Sequence, residues 1–153
     1  MKRRASMGAW VLAAGLMAAC SHQNPLEVDQ EVTTLGTAEV TAQLEEIPDK
    51  FPPNDLYDYA FVLKYRVLKV HRGKVPEKEI LVAQYNPLKP RATVADDRSG
   101  KVGGHVDAFR ARDIHRMALE SPVDQHWMGG IIDKYFNQPG VRYWAVWTNP
   151  GSK

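Results

Sequence analysis

The stretch "YAFVLKYRVLKVHRG", residues 59 to 73, constrains this chain more than any other. Tyr59, Phe61, Leu63, Tyr65 and Val67 recur at every second position, while Lys64 and Arg66 lie on the opposite side among Val62, Leu68 and Val70. A period of two is that of a half-buried strand, and aromatic and β-branched side chains fit its pleated surface. At roughly 3.3 Å per residue such a strand runs about 46 Å, far beyond the usual five or so residues. It must bend sharply, through a bulge.

The remaining pattern supplies partners for it. Gly73-Lys74-Val75-Pro76 is a turn, and "KEILVAQYN" reads as the antiparallel neighbour. Upstream, Val40, Ala42 and Leu44 alternate with Thr41, Gln43 and Glu45, after which Pro48, Pro52 and Pro53 enforce a loop. "FRARDIHRMAL", residues 109 to 119, fits a helix through Phe109, Ile114 and Met117, or a turn at Ala111-Arg112-Asp113 leading into a strand. The strand fits better. "GGIIDKYF" reads as a short helix closed by Pro139-Gly140, and "VRYWAVWTN" as a final aromatic strand. Residues 36–150 hold no internal repeat and are expected to form a single domain, mainly β: a small five-stranded barrel with one short helix.

"YRVLKVHRGKVPEKEILV" followed by "FRARDIHRMAL" resembles the spacing in OB-fold domains of the netrin/TIMP-like type. The resemblance implies an architecture and no activity, because OB-like barrels host many unrelated functions. The cysteines those domains often carry are absent. The one cysteine of the chain, Cys20, stands elsewhere.

Cys20 closes a short apolar run. Lys2, Arg3 and Arg4 form a positive head, and Ala5 to Ala19 carries no charge, the layout of an export signal. Fifteen or so residues of helix cover roughly 22 Å, too little for about 30 Å of hydrocarbon. Leu16-Met17-Ala18-Ala19-Cys20 resembles the bacterial lipobox, with Met17 in place of the usual Leu. That resemblance implies cleavage between Ala19 and Cys20 and lipid attachment at Cys20. A thiolate suits the role because it is nucleophilic enough to take a diacylglyceryl group near neutral pH, and several acyl chains on one residue anchor stably. Residues 1–19 are therefore expected to be a cleaved lipoprotein signal peptide, and 20–35 an acylated N-terminus with a flexible polar tether. Ser21 after the cysteine resembles the arrangement that directs lipoproteins to the outer membrane rather than the inner one.

Removing residues 1–19 takes three basic residues and leaves 17 against 18 acidic ones, a net charge of −1. The basic character of the whole chain belongs to the leader, and nucleic acid is not an expected partner. Stability after export is expected from packing without disulfides, metal or cofactor.

Local catalytic signatures are missing. His71, His105, His115 and His126 show no metal-ligand spacing. "DDRSGKVGGH" lacks the glycine spacing and following Ser or Thr of a phosphate loop. Ser99, Ser121 and Ser152 lack a G-x-S-x-G frame. Asp55 with Asp58, and Asp96 with Asp97, read as solvated loop acids. The aromatics are more informative. Trp127, Tyr135, Trp144 and Trp147 cluster in the last third and are the candidate binding residues. In a regular strand Trp144 points opposite to Tyr143 and Trp147, so one of the two tryptophans is expected outside the barrel. The expected function is a lipid-anchored envelope binding module for a partner protein or glycan. The alternative is a small envelope hydrolase built from dispersed His and Asp/Glu residues.

Overall fold

The computed structural model describes residues 29–53 and 56–153. The expected signal segment, Cys20 with the first part of the tether, and Asp55 lie outside the described residues.

The alternating tract at Val40 forms β1 (Ala38–Glu46). The long tract is a single fourteen-residue strand, β2 (Tyr59–Arg72), and its neighbour is β3 (Glu79–Tyr85). A two-residue strand, β4 (Gly103–Gly104), precedes β5 (Ile114–Glu120), so the strand reading of "FRARDIHRMAL" holds, with Arg112 in the turn at φ 78°. β6 (Gly130–Ile132) and the aromatic strand β7 (Arg142–Pro150) complete the set.

Five strands close into a barrel in the order β1, β2, β3, β7, β5 and back to β1. The β3–β7 contact is parallel and the other four are antiparallel. β6 runs parallel along the start of β2, and β4 along the end of β7. One rim of the barrel therefore gathers the ends of β1, β3 and β7 with the starts of β2, β5 and β6.

The bend expected of the long strand is what closes the sheet. Residues Ala60 to Arg66 pair with β3, and Lys64 to Arg72 pair with β1, so one strand serves both sides. Thr41 faces Lys69 while Ala42 faces Val67, leaving Leu68 as an extra residue. Val40 faces Val70 while Glu39 faces Arg72, leaving His71 as a second. Each bulge tightens the local twist.

Val40, Ala42, Leu44, Phe61, Leu63, Tyr65, Ile80, Val82, Met117, Leu119, Tyr143 and Ala145 fill the interior. Each large apolar side chain there stabilises the fold by about 1.5–3 kcal/mol. A second core lies outside the barrel wall, where Ala60, Val62, Leu81, Ala83, Tyr85, Trp144 and Val146 are covered by Val94, Val102, Val123, Trp127 and Tyr135 from the loops. The early part of β2 and most of β3 are thus buried on both faces.

Two expectations need correction. "GGIIDKYF" is not a helix: its first part is β6, with Ile131 and Ile132 paired to Ala60 and Phe61, and the rest is turn. Glycine at 129 and 130 disfavours helix, and a Cβ at Gly129 would sit 2.2 Å from the Trp127 ring, so the residue is there for close packing. The one α-helix among the described residues, α1 (Gln30–Thr34), falls inside the stretch expected to be tether. Asp29 caps it by accepting from Glu31 N at 3.0 Å, and Val32 is buried beneath it. Residues Asp29 to Leu35, ahead of Gly36, are already part of the fold, because this cap and one apolar contact fix the turn.

Candidate binding groove

α1 lies across β5 and β7 and forms one wall of an open groove of about 1460 Å³. Thr41 and Arg116 line its floor, and Leu68 and His71, the two bulge residues of β2, line the far side. The bulges therefore shape the groove as well as close the barrel.

Its end is organised by Asp29. The Asp29 Oδ2 accepts from Trp147 Nε1 and from Asn149 Nδ2, each at 2.8 Å, and lies 3.3 Å from His105 Nε2. Burial alone would raise the carboxyl, but the donors Asn149, Trp147 and Glu31 outweigh it and hold it down at about 2. Asp29 is thus a fixed anion at neutral pH and a poor proton acceptor. Trp147 stays half-buried on the groove. Its six-membered ring fills the space left by Gly103, where a Cβ would lie 2.4 Å from Cζ3, and His105 meets it edge-on at 6.3 Å.

The floor is held by an ion pair. Glu39, nearly fully buried, receives Arg116 Nε at 2.7 Å and Nη2 at 2.5 Å. Beside it Thr41 Oγ1 and His71 Nε2 are 2.8 Å apart. Burial and the Arg116 charge push His71 below its ordinary pKa, with Glu39 opposing.

Of the four aromatic candidates only Trp147 lines this groove. Trp144 and Trp127 stack at 5.6 Å with an interplanar angle of 7°, exposed 4% and 6%, and Tyr135 is buried with them in the second core. The parity argument for Trp144 and Trp147 fails for a physical reason. Leu119 pairs with Ala145 and Ala118 with Trp147, so Val146 is a bulge that shifts the alternation by one residue: Ala145 stays interior while Trp144 and Trp147 share the outer face. His115 is interior, its Nδ1 3.0 Å from the Tyr65 hydroxyl, and burial pushes it down to about 4. Of the loop acids, Asp58 accepts from Asn86 Nδ2 at 2.9 Å and Asp96 from the Tyr85 hydroxyl at 2.7 Å. Among the described residues no group of three metal-binding side chains converges, and no helix is long and apolar enough to cross a membrane.

Asp29, His105 and Asn149 carry no sequence motif, and Asp29 and Asn149 are 120 positions apart. The usable signal was Asp29 itself, an N-cap residue directly ahead of Gln30-Glu31-Val32. Compared with protein families, curated proteins and solved structures, the chain matches none.

Proposed function

We propose that the chain is a lipid-anchored cell-envelope protein, carried on the periplasmic face of the outer membrane, whose barrel is a binding module. The groove beside α1 takes a segment of a partner protein or an envelope glycan. Support for the anchor is the sequence around Leu16 to Cys20. The binding reading is carried by Trp147: an accessible indole whose edge is pinned by Asp29, so its orientation is fixed before a ligand arrives. Kinship with OB-type barrels belongs to the same reading, supported by the closed strand order and the parallel β3–β7 pair.

Two measurements test it. Intact-mass analysis of the protein from its own membranes is expected to show an N-terminus at Cys20 bearing acyl chains, and Cys20→Ser is expected to release the protein from the membrane fraction. An unmodified Cys20 would refute the anchor. Titration with soluble envelope glycan fragments and with captured partner proteins is expected to show affinity that Trp147→Ala weakens by about tenfold or more. An unchanged Kd in that variant would move the site elsewhere.

The second reading is a small hydrolase, favoured by the 2.8 Å contact between the Thr41 hydroxyl and a His71 held neutral. His71→Gln separates the two readings: if Thr41 is a nucleophile the unaltered protein hydrolyses the bound ligand and the variant does not, whereas if the groove only binds neither protein turns the ligand over.

A further inference from the structure

We propose that the rim from which the tether leaves dips into the bilayer, with Leu56, Tyr57, Leu88 and Met128 entering the headgroup layer of the membrane that holds the acylated N-terminus. The proposal rests on the lipoprotein reading and deepens it.

These side chains are exposed by 79%, 77%, 50% and 91% respectively. Topology puts them together. Leu56 and Tyr57 precede β2, Leu88 follows β3, and Met128 precedes β6, and the start of β2, end of β3 and start of β6 share one rim. The first two loops are joined: Asn86 N donates to Tyr59 O and Asn86 Nδ2 to Asp58 Oδ1, both at 2.9 Å.

Asp29, the first described residue, lies toward the same rim. Asp29 is bound to Trp147 and Asn149 near the end of β7, which runs parallel to β3. The chain between Cys20 and Asp29, fully extended at up to about 3.6 Å per residue, reaches only about 30 Å. A bilayer is therefore the apolar phase held within reach of this rim, at high effective concentration. Local charge gives no reason for preferring anionic lipid, because Asp58 lies 3.8 Å from Lys89 Nζ and 4.0 Å from Arg98 Nε. Insertion is apolar in character, like that of an interfacial anchor.

The test uses the acylated full chain, its acyl mass verified, in phosphatidylcholine vesicles. With Cys20 blocked by lipid, Met128→Cys accepts an environment-sensitive fluorophore, and Lys74→Cys, in the exposed turn at the opposite rim, serves as the reference. Nitroxide-bearing lipids are expected to quench the label at 128 about threefold more than that at 74, as for a group some 5–10 Å below the surface. Adding Leu56→Asp and Leu88→Asp should return the label at 128 to the reference level. Equal quenching at both positions in an acylated chain overturns the proposal while leaving the anchor intact. Shielding of position 128 in native membranes but not in protein-free vesicles overturns it in favour of a protein partner. An absent acyl mass overturns the anchor, and this proposal with it.

Discussion

Trp144→Ala is expected to destabilise the domain by about 3–5 kcal/mol, the range for truncating a buried tryptophan, whereas Trp147→Ala, at a half-buried position, should cost less than half as much. Trp144 projects from the barrel wall into the second core, stacked on Trp127 and 6.3 Å from the Tyr85 ring. Its partner on β3, Ala83, is too small to collapse into the space left behind. Because the covering loop is held partly by this stack, Trp127→Ala and Trp144→Ala should couple by about 0.5–1.5 kcal/mol in a double-mutant cycle. Urea midpoints of the parent, the three single variants and the Trp127/Trp144 double variant measure both quantities. Equal losses for Trp144→Ala and Trp147→Ala would show that the outer wall is not divided into a packed half and an open half.

The second large effect is an acid transition driven by His115. Its folded pKa of about 4 lies below the 6.5 of the unfolded chain, so between those values the unfolded state binds the extra proton. Stability is complete above pH 6.5 and is lost as pH falls through 4, by about 3 kcal/mol in all. Burial is the main cause, with Asp113 partly offsetting it. His71 is also held low and adds in the same direction. Asp29, held near 2, contributes stability that is present above 3.8 and disappears only at lower pH. His115→Leu should therefore flatten the slope of unfolding free energy between pH 6.5 and 4 much more than His71→Gln does. A slope unchanged in His115→Leu would assign acid sensitivity to the surface groups.

Strands whose two faces differ were legible in the sequence. β1, β5 and the middle of β2 alternate cleanly because one face meets the interior and the other meets solvent or polar neighbours. Less was legible where both faces are buried. Ile80, Leu81, Val82 and Ala83 form a continuous apolar run, the mark of a strand covered twice, but a run cannot say which loop does the covering. Trp127 and Tyr135 were singled out as a binding face for that reason, and they are the cover. The parity of Trp144 and Trp147 was misjudged because a bulge at Val146 leaves no trace in alternation. The groove was the least legible part. Asp29, His105 and Asn149 come from a helix cap, a loop after β4 and the end of β7, and only closure of the barrel brings them together.

The Asp29 clip also decides the order in which the molecule yields under tension. A force applied to the chain ahead of Asp29 meets first its contacts with Trp147, Asn149 and Glu31 N, then the single buried contact of Val32. Only after α1 has peeled away does the pull reach β1, which is bonded to β2 on one side and to β5 on the other. The first twenty or so ångströms of extension, at about 3.3 Å for each residue released, therefore come from a short, resealable segment while the barrel remains closed. The N-terminal segment is a mechanical fuse in series with a stiff body.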